Sequence, residues 1–109
     1  YWVALEGDEV VGYCGIYFLV PDADIQTIAV RQSHWRRGIG AQLMNLMLDR
    51  ATDLGCTSMM LEVRPDNAAA ISLYETFGFK PIGERANYYG PGISCLVMHN
   101  ANLSRGLHV

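Results

Sequence analysis

The chain has 109 residues, half of them hydrophobic, and a net charge of −3. That length holds one domain, and that hydrophobic content builds a core without staples, which excludes an intrinsically disordered chain. Eight lysines and arginines against eleven acids, with no basic stripe, leave no electrostatic footprint for a nucleic-acid partner.

Cys14, Cys56 and Cys95 are odd in number and far apart, with no CxxC and no histidine at a zinc-ligand spacing. They read as buried, reduced thiols of a cytoplasmic protein, and no metal is expected. No stretch approaches the roughly 20 apolar residues that a membrane span needs. The chain opens on Tyr1 rather than Met, so residues upstream of it remain open.

In chain order, Trp2 to Leu5 predicts a short strand and Glu6 to Glu9 a turn. Val10 to Val20 predicts a second strand, rich in β-branched and aromatic residues, with Gly12 and Gly15 as points of bulge or close approach. Pro21 to Asp24 reads as a turn, and Ile25 to Val30 as a third strand. After Arg36-Arg37-Gly38-Ile39-Gly40 a helical pattern runs to Leu54. Ala41, Met44, Leu48 and Ala51 share its apolar face, with Leu43, Met47 and Leu54 beside them. Gly55 ends it as a left-handed C′ residue. Ser58 to Val63 predicts a strand with Met59, Leu61 and Val63 on one face and Met60 and Glu62 on the other. Asp66 or Asn67 caps a second helix to Phe77, and Gly78 and Phe79 fit a Schellman ending. Lys80 to Tyr88 and Ile93 to His99 are the last strands, and Asn100 to Val109 reads as a poorly anchored tail. The order β-β-β-α-β-α-β-β predicts an α/β (α+β) domain on a mixed sheet.

The segment from Arg36 to Ala41 lies between a strand and a helix N-terminus. Unpaired N–H groups and the helix dipole favour an anion there, and glycines let a phosphate approach the backbone. Two arginines add fork-shaped charge. A plain tight turn with solvated arginines is the competing reading. The dinucleotide fingerprint fails, because Leu43 stands where its third glycine is needed, and no P-loop Gly-Lys-Ser/Thr occurs.

Glu62 interrupts the run Met59-Met60-Leu61-Glu62-Val63. A carboxylate deprived of water there is a usable general base near neutral pH; a strand-end glutamate paired with Arg64 is the alternative. Tyr74 sits mid-helix beside Ala70, Ile71 and Phe77, either as a half-buried core tyrosine or as a phenol that protonates a leaving thiolate. His34, His99 and His108 form no hydrolase constellation with Ser, Cys or Asp. Tyr88 and Tyr89 open a loop and either pack an edge or line a groove.

Together these residues carry a resemblance. Thr27-Ile28-Ala29-Val30, then Trp35-Arg36-Arg37-Gly38-Ile39-Gly40-Ala41, then Leu61-Glu62-Val63-Arg64, Asn67 to Glu75, Phe77-Gly78-Phe79 and Asn87-Tyr88-Tyr89 resemble the GNAT superfamily of N-acetyltransferases. Within it the chain is most similar to the ribosomal-protein-alanine N-acetyltransferases of the RimI type, from Trp2 to about Met98. The resemblance implies a mostly antiparallel mixed sheet flanked by helices, with acetyl-CoA as cosubstrate. It implies that the pantetheine arm pairs with the backbone of Ile28, Ala29 and Val30, where strand Ile25 to Val30 splays from strand Ser58 to Val63. It places the pyrophosphate on the N–H groups of Arg36, Arg37, Gly38, Ile39, Gly40 and Ala41. Glu62 matches the family base, Tyr74 the acid that also meets the cofactor, and Asn67 a cofactor contact; Tyr88 and Tyr89 match positions near an acceptor peptide. The implied acceptor is a protein N-terminal α-amine, such as that of a ribosomal protein. A lysine, polyamine or other small amine is the rival acceptor, and a non-catalytic acyl-CoA-binding module the rival from another class. The chain departs from the family in having Trp35 at a usual Gln or Arg and Ile93-Ser94 before the last apolar run; the sequence begins at the first hairpin, ahead of which the family has a strand and two helices.

Overall fold

The structure is a computed structural model, described for residues 1–90 and 93–103, with the side chains of 86–90 and 93 set aside. Strand β1 (Trp2–Glu6) turns through Gly7, at φ 62°, into β2 (Glu9–Leu19). Strand β3 (Asp22–Val30) returns beside β2, and one 3₁₀ turn at Gln32–His34 leads to α1 (Ile39–Asp53). Strand β4 (Ser58–Val63), helix α2 (Ala68–Thr76), β5 (Lys80–Gly90) and β6 (Ile93–Asn100) complete the order.

All six strands form one sheet in the order β1-β2-β3-β4-β6-β5, antiparallel except at the β3–β4 pair. The α+β class and element order expected from the sequence are therefore observed. Period-2 alternation in β4 buries Met59, Leu61 and Val63 against Leu43, Met44, Met47, Leu48 and Ala51 of α1, with Phe79 and Met98 alongside. The three cysteines are buried free thiols. Burial raises the pKa of each above the ordinary thiol value. No helix among the described residues is long and apolar enough to cross a membrane.

Three expectations need correcting, and one element was not foreseen. Strand β3 begins at Asp22, not Ile25, because Asp22 pairs with Leu19 and takes the Ser58 hydroxyl; the turn shrinks to Val20-Pro21. The 3₁₀ turn has no apolar period and escapes pattern reading. Leu54 is exposed, since α1 has already ended at Asp53. The tail does not start at Asn100. That residue is buried in β6, its Nδ2 donates to the Phe77 carbonyl at 2.9 Å, and Leu103 N–H donates to Thr57 O at 3.2 Å. Residues 104–109 lie outside the described part.

Candidate active site

The parallel ladder between β3 and β4 is three residues long. Asp22, Ala23 and Asp24 pair with Ser58, Met59 and Met60, and pairing stops there. Among the described residues, Ile25 to Val30 beyond that point has β2 on one side and no strand on the other, while Leu61 to Val63 keeps only β6. The sheet thus parts at its middle and leaves two strand edges with backbone groups to satisfy. Gln26 is the extra residue of a bulge opposite Gly15/Ile16, which re-aims the remainder of β3.

The glycine turn closes one end of this parting. Arg36, at φ 65°, and Gly38, at φ 79°, both take the left-handed conformation, which costs a non-glycine residue energy and suits glycine. The first intrahelical bond of α1 runs from Gln42 N–H to Gly38 O at 3.0 Å. The N–H groups of Ile39, Gly40 and Ala41 consequently have no helical acceptor and stand at the positive end of the dipole. Gly40 has a packing reason of its own: a Cβ there would meet Leu73 Cδ2 of α2 at 3.2 Å.

Around the turn lies a cleft of about 520 Å³. Ile28, Val30, Arg36, Gly38, Ile39, Gly40, Ala41, Asn67 and Tyr74 line it, so nine of the sequence-predicted cofactor residues meet in one place, joined by His34 and Trp35. Ala29 and Arg37 are not part of the lining. Arg37 turns its guanidinium to Glu6 at 3.3 Å, and the same carboxylate oxygen meets His34 Nε2 at 3.0 Å. Glu9 pairs with Arg31, so the acidic β1–β2 turn holds the β3–α1 connection by charge. A second concavity, of about 500 Å³ beside Lys80 and Asn100, contains none of the predicted residues.

Helix α2 and its cap hold two of the predicted lining residues, Asn67 and Tyr74, on fixed mounts. Asn67 is its N-cap, with Oδ1 accepting from Ala70 N–H at 3.2 Å. At the other end Gly78, at φ 92°, donates to Glu75 O at 3.0 Å and Phe79 to Tyr74 O at 3.1 Å, which is the Schellman pattern. Tyr74 is only 6% exposed, and its ring meets Phe79 edge-on at 6.2 Å.

Glu62 stands elsewhere, on the sheet face away from α1, beyond the end of the β3–β4 ladder. Its side chain is 20% exposed and accepts from Arg85 at 3.1 Å and from the Cys95 thiol at 3.7 Å. Arg64, the partner weighed from the sequence, pairs with Asp66 instead. Asp24 shares this face: burial first, and the charge of Glu62 second, raise its pKa above the ordinary aspartate value. Cys95 is pushed up by the same two causes in the same order. Arg85, Cys95 and Asp24 were missed from the sequence because β5, β6 and β3 bring them to Glu62 only through pairing across the sheet. Tyr88 and Tyr89, expected near an acceptor, belong to the stretch of β5 whose side chains lie outside the description.

Residues 1–79 match the model of the acetyltransferase (GNAT) family. The chain belongs to the GNAT family. Among its relatives, the ribosomal protein bS18-alanine N-acetyltransferase of Salmonella typhimurium is 37% identical over 82 residues, covering 75% of this chain and 55% of that protein. This GNAT chain also superposes with a TM-score of 0.81 and 28% identity on the ribosomal-protein-S18-alanine N-acetyltransferase of Escherichia coli, covering 96% of one and 70% of the other. A Bacillus subtilis acetyltransferase solved in complex with CoA shares the fold, with a TM-score of 0.79 at 21% identity, over 93% of this chain and 75% of that one. The chain spans about half the length of the curated relatives it matches.

Proposed function

We propose that this GNAT domain transfers an acetyl group from acetyl-CoA to an amine, with the N-terminal α-amine of a protein, such as a ribosomal protein, as acceptor. One observation carries the reading: the sheet parts between β3 and β4, with an anion-ready helix N-terminus on one face and a held carboxylate on the other. The fit to coenzyme A rests on chemistry present in the chain. N–H groups at Ile39 to Ala41, which have no helical acceptor, suit a pyrophosphate, and the open edge of β3 suits the amides of a pantetheine arm. Family membership and the ribosomal-protein-alanine acetyltransferases among the relatives support the acceptor.

When bound, acetyl-CoA supplies a thioester carbonyl carbon; the amine nitrogen bonds to it as the C–S bond breaks. Glu62 takes the proton that the nitrogen gives up, directly or through water. Arg85 and Cys95 hold that carboxylate in place, so it need not be ordered during the reaction. Tyr74, fixed by the Schellman ending of α2, gives its phenolic proton to the departing sulfur. Asn67 and the turn from Arg36 to Ala41 bind and orient the cosubstrate. A cytoplasmic setting is part of the reading, supported by three free thiols.

The test is thioester turnover with a panel of free N-terminal peptides, lysine side chains and polyamines. Turnover selective for peptide α-amines is expected. Turnover only with lysines or polyamines overturns the acceptor, and coenzyme A binding without turnover of any amine overturns the enzyme.

A further inference from the structure

Trp35 has no role in the mechanism above, yet it stands on the cleft between the 3₁₀ turn and the glycine turn. Its indole Nε1–H donates to the Val30 carbonyl at 2.8 Å, while the residue as a whole stays 60% exposed. The bond ties the ring to the last residue of β3 and consumes its one polar hydrogen. What remains free is a flat aromatic face, held in place and open to solvent at the rim of an anion site. A tryptophan this exposed gains little from the core. Its packing value is spent only when a second surface covers it.

From this geometry we infer that Trp35 is the stacking platform for the adenine ring of coenzyme A. The inference rests on the proposed acetyl-CoA reading and adds a binding residue to it. Coenzyme A has one extended π-face, its adenine; the pantetheine arm is a flexible amide chain and the acetyl group is small. Adenosine is bonded directly to the pyrophosphate. A pyrophosphate on the N–H groups of Ile39 to Ala41 therefore carries the adenine along the lining of the same cleft, where Trp35 is the neighbour of Arg36. Stacking on an indole face needs no hydrogen bond from the indole edge, which is already committed to Val30. Arg36 beside it supplies the charge that the adjoining phosphates require.

The experiment is calorimetric titration of wild type, W35A and W35F with coenzyme A and with 4′-phosphopantetheine, which lacks the adenosine, its 3′-phosphate and one phosphate of the pyrophosphate. By the usual worth of a base on an aromatic ring, W35A should weaken coenzyme A binding on the order of 5- to 150-fold. Its affinity for phosphopantetheine should stay within about twofold. W35F, which keeps a π-face but loses the bond to Val30, should retain most of the coenzyme A affinity. Equal weakening toward both ligands, or W35F as weak as W35A, makes Trp35 a bracket for β3 and refutes stacking. Wild-type binding of coenzyme A with no loss in W35A refutes stacking alone. Failure of wild type to bind coenzyme A removes the acetyl-CoA reading and the stacking with it.

Discussion

Glu62→Gln separates chemistry from structure because the two effects differ in size. The variant keeps the volume of the side chain and one acceptor oxygen for Arg85, while an amide NH2 replaces the oxygen that accepts from the Cys95 thiol, and it no longer takes a proton. A positioned general base contributes about 10²–10⁴-fold in rate, equivalent to roughly 3–5 kcal/mol of barrier. The structural cost is smaller. Glu62 meets Arg85 at 3.1 Å, but the Arg85 side chain is 57% exposed, so the neutralised carboxylate leaves a cation that water still solvates. An ion pair of this kind contributes about 0–1 kcal/mol, and for a domain of this size 1 kcal/mol moves Tm by about 4–8 °C. Turnover at saturating acetyl-CoA and peptide, with a thermal melt of the same preparation, reads both quantities. The expected result is a kcat loss of two to four decades with coenzyme A affinity unchanged and Tm within about 8 °C of wild type. A kcat near wild type at every pH tested would refute the base assignment and leave Glu62 as the partner of Arg85.

Tyr74→Phe keeps the ring against Phe79 and removes only the hydroxyl; kcat should fall while coenzyme A affinity holds, and stability should change by about 1 kcal/mol at most. An intact kcat in that variant would hand the acid role to solvent. Gly38→Asp puts a carboxylate and a strained left-handed residue on the anion site, and calorimetry should show coenzyme A binding weakened by at least about tenfold. Gly78→Ala combines φ 92° with a Cβ at 3.0 Å from Asn100 Nδ2, so urea unfolding should show a loss above the roughly 1–2 kcal/mol of left-handed strain alone. Asp24→Asn tests the raised aspartate. A carboxyl that binds its proton more tightly folded than unfolded stabilises the fold below the ordinary aspartate value. That contribution disappears as pH rises through the higher folded value. The asparagine variant should thus gain stability relative to wild type at neutral pH and lose the gain in acid; a gap that does not change with pH would contradict the assignment.

The parts of the site that were legible in the sequence are those set by local chemistry. Gly55 and Gly78 stop their helices with positive φ, Asn67 caps α2, and the alternation of Met59 to Val63 puts Glu62 on the outer face. Each follows from steric or hydrogen-bonding rules that act within a few residues. The partners of Glu62 were not legible, because Arg85 reaches it across β6 and Asp24 approaches it only where β3 pairs with β4. The same limit hid the side chain of Arg37. Two adjacent arginines beside a glycine turn read alike, but Glu6, 31 positions earlier, draws one of them away. Strand β3 was cut short because Pro21 and two aspartates imitate a turn, whereas Asp22 and Asp24 point outward from a strand that has already begun.

The short ladder between β3 and β4 also has a mechanical meaning. It joins two three-strand leaves, β1-β2-β3 and β4-β6-β5, by the pairing of Asp22–Asp24 with Ser58–Met60, over one apolar cluster to which α1 and β4 both contribute. A seam this brief transmits little cooperativity through backbone bonds, so the apolar cluster that Met59, Leu61 and Val63 of β4 share with Leu43, Met44, Met47, Leu48 and Ala51 of α1 binds the leaves into one folding unit. The free edge of β3 then reports occupancy directly. Backbone amides there that do not pair with β2 exchange their hydrogens with solvent, and any thread of amides lying in the gap beyond the ladder slows that exchange.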